Sequence, residues 1–136
     1  MTAEQYLRRI KKIDAMVENK VSDYRHWVEV AEGLGGASEG ERVQASRNLY
    51  SIPNAICKYI DIENEIRALK QERQNIIATI EQLPCEEYEL VYKYYVQDIT
   101  IKELAYHFGK SYEWVKWRKR KAVEMIQEVL DKEKNA

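Results

Sequence analysis

Residues 100–122 read TIKELAYHFGKSYEWVKWRKRKA, and they predict two short helices joined by a tight turn. Thr100 stands three residues before Glu103, a pattern in which the side chains cap free N–H groups in the first helical turn. Gly109 favours the end of that helix because glycine adopts positive φ freely. Ser111 is a favourable N-cap for the helix that follows. Two helices joined by a glycine-containing turn of this length are typical of a helix-turn-helix.

A further short helix is predicted immediately before this motif. Pro84 interrupts whatever helix precedes it, and residues 86–96 open with acidic side chains, which the helix dipole favours in a first turn. Apolar and aromatic side chains then recur at helical spacing. We therefore predict that residues 84–136 form a helix-turn-helix domain.

The N-terminal part predicts two long helices, over residues 2–32 and 53–83. Each carries apolar rows at seven-residue spacing, which are typical of coiled-coil seams. The clearest rows are Ile10, Val17, Tyr24 and Ala31 in the first segment and Ile62, Leu69, Ile76 and Leu83 in the second. A glycine-rich, irregular connector over 33–52 would join the two segments as an antiparallel hairpin spanning residues 1–83. The alternative is that both are core helices of a compact bundle.

The predicted fold is therefore all-α, with a coiled-coil-like hairpin followed by the helix-turn-helix. Apolar side chains outside the rows, such as Val21, Ile56 and Ile60, widen the apolar stripe beyond what one partner helix covers. We therefore expect the hairpin to associate with a second copy of the chain or to pack on the C-terminal domain.

Basic side chains are concentrated in one part of the sequence, although the chain as a whole is nearly neutral. The 136 residues carry 22 basic and 23 acidic side chains, so any attraction for nucleic acid must be local. Residues 110–121 hold six basic side chains and one acidic side chain. Such a density on the second helix of a helix-turn-helix predicts binding to the phosphates of duplex DNA.

Within this region we predict which side chains contact DNA. Lys116 and Arg120 suit phosphate or guanine, and Glu113 can accept a hydrogen bond from cytosine N4. Lys102 and Lys110 would position the DNA backbone. The complete predicted set is Lys102, Lys110, Ser111, Tyr112, Glu113, Lys116, Trp117 and Arg120. Trp117 has two interpretations, a contact in the groove or a core or subunit contact.

Residues 83–126 resemble region 4 of the sigma factors, the part that reads the −35 promoter element. The matching positions are Leu83-Pro84, Tyr94-Tyr95, residues 101–105, Phe108-Gly109, Ser111, Val115-Lys116 and Lys121-Ala122. The whole chain is similar to small regulators of Gram-positive phages of the RinA and ArpU type, in which a helical hairpin and a linker precede the sigma-like motif. The resemblance implies a transcriptional regulator of late phage genes, with RNA polymerase as a further partner.

The chain departs from the family pattern at one place. The family generally has an apolar residue near positions 118–119, where this sequence has Arg118 and Lys119. Trp114 and Trp117 flank these positions and are expected to supply part of the missing packing.

Other function classes have less support in the sequence. His26 and His107 have no partner at metal-ligand spacing, and the carboxylates alternate with basic residues along helices, so we expect no enzyme, metal or cofactor. Cys57 and Cys85 are expected to be reduced thiols. No apolar run approaches the roughly 18 residues of a membrane span, and the charged N-terminus predicts a cytoplasmic protein.

Two alternatives from other classes stay open. Small terminase subunits of phages also combine a helix-turn-helix with coiled helices, so the chain is also compatible with a structural or packaging component. It is equally compatible with an interaction protein that binds RNA polymerase through its sigma-like end without touching DNA.

Overall fold

The computed structural model describes residues 1–33 and 45–135, which form five helices and no strand. The helices are α1 (Ala3–Glu32), α2 (Ala45–Glu81), α3 (Cys85–Val91, continued by a π-helical segment, Tyr92–Val96), α4 (Ile101–Phe108) and α5 (Tyr112–Asn135). The predicted all-α fold is confirmed. In the described part of the chain, no helix combines the length and the apolar character that crossing a lipid bilayer requires.

The helices α1 and α2 run antiparallel, as predicted. The ring centroids of Tyr24 and Tyr59 lie 5.8 Å apart. One helical turn earlier in α1, Lys20 donates to Glu65 at 2.6 Å. A residue nearer the start of α1 thus contacts a residue nearer the end of α2, as expected for two antiparallel helices.

The start of α2 corrects the sequence prediction. The helix begins at Ala45 and contains Pro53, which we expected in its first turn. The predicted irregular connector over 33–52 is therefore wrong for residues 45–52, and residues 34–44 lie outside the described part. Pro53 removes one backbone hydrogen bond from the helix. The helix nevertheless continues on the N-terminal side of Pro53, because residues 45–52 contain no glycine or proline.

The chain divides into two compact units, residues 14–71 and residues 1–13 together with 72–136. In the first of these units, the described apolar side chains are only partly covered. Ala55 and Leu69 are buried, whereas Ile56 and Ile60 are 37% and 44% exposed. The seam of the hairpin in this unit is therefore shallow.

The second unit contains the helix-turn-helix and also the first turns of α1. Leu7, Ile10 and Ile13 have no exposed surface. The backbone N–H of Ala3 donates to Gln127 Oε1 at 2.8 Å, which ties the start of α1 to α5. The core of the C-terminal unit is thus completed by residues that are distant in sequence and that the sequence analysis assigned to the hairpin.

Candidate nucleic-acid interface

The helix-turn-helix is built by the local signals that the sequence contains. Thr100 Oγ1 accepts a hydrogen bond from the Glu103 N–H at 3.2 Å, and Ser111 Oγ accepts one from the Trp114 N–H at 3.1 Å. Between these caps, Gly109 has a φ of 65° and ends α4. Each cap satisfies an N–H group that has no partner within its helix. The predicted caps and turn are therefore confirmed.

A small apolar core joins α3, α4 and α5. Leu90, Leu104 and Val115 come one from each helix, and all three are fully buried in a common cluster. The rings of Phe108 and Trp114 pack at its edge, with centroids 6.3 Å apart. Because Val115 faces inward, the opposite side of the first turns of α5 faces solvent.

All eight side chains predicted to contact DNA are exposed. Those on α5 are Tyr112, Glu113, Lys116, Trp117 and Arg120, and their spacing of three and four residues places them on one face. We call these five residues the recognition face. The structure thus brings most of the predicted set together on a single helix.

The aromatic members of the recognition face remain accessible. Tyr112 is 48% exposed and Trp117 is 47% exposed. The Lys116 ammonium lies 5.5 Å from the centre of the Tyr112 ring, and the Lys121 ammonium lies 5.8 Å from the Trp117 ring. Trp117 is therefore not a core residue of this chain, which leaves the groove and a second subunit as its two interpretations.

The remaining three predicted residues flank this face. Lys102 lies in the first turn of α4, and Lys110 lies in the turn, with its ammonium 5.5 Å from the Trp114 ring. Ser111 acts as the N-cap of α5. Within the described residues, Lys102, Lys116 and Arg120 form no ion pair, so their charges are not neutralised inside the protein.

Arg118 is partly buried and forms ion pairs within the protein. Its guanidinium lies 2.7 Å from Glu87 and 2.9 Å from Glu86, both on α3. The Glu87 side chain is only 7% exposed, and Arg118 also lies 5.7 Å from the Trp114 ring. Arg118 therefore joins α5 to α3 by a partly buried ion pair.

Lys119 is also held against the protein. Its ammonium lies 4.2 Å from the centre of the Tyr94 ring and 5.6 Å from the Tyr95 ring, which is within range of a cation–π interaction. The two rings are themselves packed edge to face at 4.8 Å. Both tyrosines belong to the π-helical segment. Sequence reasoning missed this role because it counted Lys119 with the exposed basic run.

The π-helical segment is in turn fixed to α1. The Tyr95 hydroxyl donates to Glu4 Oε2 at 2.6 Å, and Arg8 Nε donates to Glu4 Oε1 at 2.8 Å. Burial, together with the adjacent Glu4 carboxylate, raises the pKa of Tyr95 far above its usual range. Burial alone would raise the pKa of Glu4, but the hydrogen bonds from Tyr95 and Arg8 outweigh it and lower that pKa. Tyr95 is thus a neutral donor to an ionised Glu4.

A small cleft lies beside the recognition face. It has a volume of about 240 Å³, and its lining includes Lys116, Lys119 and Arg120 from α5 and Ile101 from α4. Glu4 contributes the carboxylate on its wall. The arrangement is suited to an anionic group at the surface, because three basic side chains line an open depression.

The histidines contribute nothing to this surface. His107 lies 3.6 Å from Glu89, and His26 packs against the Trp27 ring with centroids 5.0 Å apart. In residues 1–33 and 45–135, no three His, Cys, Asp or Glu side chains are grouped so as to hold a metal ion.

Comparison of the chain with protein-family models, with curated proteins and with solved structures finds no match in any of the three.

Proposed function

We propose that the chain is a sequence-specific DNA-binding protein that regulates transcription, with the recognition face in the major groove. One observation carries this proposal. Lys116 and Arg120 are exposed cations one helical turn apart on the second helix of a helix-turn-helix, and neither is paired within the described residues. Unpaired cations can neutralise DNA phosphates, and the release of counterions then favours binding.

The recognition face has the dimensions that groove reading requires. From Glu113 to Arg120 the helix rises about 10 Å, which corresponds to about three base pairs along one strand. Arg120 can bind guanine with two hydrogen bonds, and Glu113 can accept from cytosine. Lys102 and Lys110 would bind phosphates and fix the register.

The role in transcription rests on the resemblance to sigma region 4 and to phage regulators of the RinA and ArpU type. On that basis the proposed targets are late genes of a phage or prophage, and RNA polymerase is the proposed protein partner.

Replacing Lys116 and Arg120 together by alanine is expected to lower DNA affinity by at least tenfold, because each contact of this kind contributes about 1–3 kcal/mol. The ligand is a duplex selected from a random pool by the purified protein, and the measurement is fluorescence anisotropy. Helical circular dichroism should not change, because both side chains are exposed.

The matched control removes two lysines from the far end of α5. Lys132→Ala with Lys134→Ala changes the net charge by the same amount but lies outside the recognition face. If the two double variants bind equally well, the recognition face is wrongly assigned.

We also propose that the hairpin joins two or more copies of the chain. The support is the shallow seam in residues 14–71, where Ile56 and Ile60 are exposed.

Light scattering on the full chain should give a mass of at least twice the 16.2 kDa of one chain. Ile56→Lys with Ile60→Lys should lower that mass, because a charge at an apolar interface is costly. A mass of one chain at micromolar concentration would contradict self-association.

A further inference from the structure

A second and larger cleft lies beside the recognition face. Its volume is about 540 Å³, and its walls come from α1, the π-helical segment, α4 and α5. Arg8 and Lys11 come from α1, Lys102 comes from α4, and Tyr112 comes from α5. Two of these residues belong to the predicted DNA-binding set, whereas Arg8 and Lys11 do not. The start of α1 therefore borders the same surface as the helix-turn-helix.

The two cations from α1 are available to an external ligand. The side chain of Lys11 is 74% exposed, and it pairs with Asp98, itself 74% exposed, at 3.4 Å. Such an exposed pair contributes little and is readily exchanged for another anion. The side chain of Arg8 is 67% exposed and binds Glu4 through Nε. Its two terminal nitrogens carry further N–H donors.

The larger cleft and the smaller one share a wall residue. Ile101 lines both of them, Lys116 and Arg120 line the smaller cleft, and Arg8 and Lys11 line the larger one. Cations are thus distributed along an open surface and are not gathered around one enclosed point. This distribution fits an extended polyanion better than a small anion, because several phosphates can be bound in succession.

We propose that α1 is part of the DNA interface, with Arg8 and Lys11 binding backbone phosphates next to the groove that α5 occupies. This inference rests on the proposed function and adds a second, sequence-independent contact to it. The N-terminal helix then has two roles, because Leu7 and Ile10 complete the core of the C-terminal unit while Arg8 and Lys11 face the DNA backbone.

The test measures how DNA affinity depends on salt. The probe is a fluorescein-labelled duplex of mixed sequence, about 30 base pairs long, titrated by anisotropy at roughly 50 to 200 mM KCl. Arg8→Ala with Lys11→Ala should lower affinity about 10- to 50-fold near 0.1 M salt and reduce the salt slope by about two, because each lost phosphate contact removes about 0.9 from it. Lys12→Ala is the matched control, since Lys12 is exposed but lies about 100° further around α1.

The outcomes separate this inference from the proposed function. If the Arg8 and Lys11 variant has the salt slope and affinity of Lys12→Ala while the Lys116 and Arg120 variant is impaired, α1 is not part of the interface and the proposed function stands. If the unaltered chain binds no duplex at the lowest salt, the proposed function fails and this inference fails with it. Replacing Arg8 also removes its hydrogen bond to Glu4, so the single variant Lys11→Ala is measured as well. It should reduce the salt slope by about one.

Discussion

Leu7→Ala is expected to lower the free energy of unfolding of the C-terminal unit by about 2–5 kcal/mol, the usual range for truncating a buried leucine. Leu7 has no exposed surface and belongs to the unit formed by residues 1–13 and 72–136. A domain of this size has a total stability of about 5–15 kcal/mol. One substitution near the N-terminus should therefore remove a large share of the stability of the C-terminal unit.

The measurement is urea denaturation followed by circular dichroism. Leu130→Ala is the matched control, because it makes the same truncation in the same unit but the Leu130 side chain is only partly buried. Its cost should be clearly smaller than that of Leu7→Ala, because less apolar surface is lost from the core. Equal shifts in midpoint for the two variants would show that the first turns of α1 are not part of the C-terminal core. DNA binding of Leu7→Ala should recover as temperature is lowered, because the recognition face itself is intact.

Much of the C-terminal motif could be predicted because its signals are local. Thr100, Gly109 and Ser111 each act on backbone groups within a few residues, so their sequence context contains the whole interaction. The inward position of Val115 follows from helical periodicity in the same way. Interactions of this kind do not depend on how distant parts of the chain come together.

The interactions that orient α5 could not be predicted, because their partners are distant in sequence. Lys119 packs on Tyr94, and Arg118 binds Glu87, across separations of 25 and 31 residues. In the sequence, both cations belong to an uninterrupted basic run, which is normally a solvated face. Only the tertiary arrangement separates the cations that hold α5 from those that remain free.

The inclusion of the first turns of α1 in the C-terminal unit also could not be predicted from the sequence. Pro84 marks a real interruption between helices, and it suggests a domain boundary at that point. The hydrogen bond from Tyr95 to Glu4 joins residues 91 positions apart, and no periodic pattern reports it. The same limitation applies to Arg8 and Lys11, whose proximity to Lys102 emerges only after the chain has folded.

Glu87→Ala is expected to destabilise the C-terminal unit by about 2–3 kcal/mol, because it leaves the partly buried Arg118 without its closest partner. The side chain of Glu87 is 7% exposed and that of Arg118 is 27% exposed. Arg118 Nε is already buried without a hydrogen-bond acceptor in the described part of the chain. Removal of Glu87 therefore leaves more of the guanidinium unsatisfied in a region with little access to water.

Glu86→Ala provides a matched control on the same helix. Glu86 binds the same guanidinium at 2.9 Å, but its side chain is 48% exposed. Because an exposed ion pair contributes at most about 1 kcal/mol, its loss should be small. Thermal unfolding of the two variants, measured side by side, compares removal of the buried carboxylate with removal of the exposed one. Equal melting temperatures would contradict a structural role for the pair between Arg118 and Glu87.

DNA affinity gives a second and independent reading of the same pair. Each variant removes one negative charge near the proposed interface, and this change alone should strengthen the attraction for phosphates. If the pair positions α5, Glu87→Ala should instead weaken binding at a temperature where it remains folded, while Glu86→Ala should not. Replacing both partners, as Glu87→Leu with Arg118→Leu, should restore stability, because an apolar pair avoids the cost of desolvating two charges.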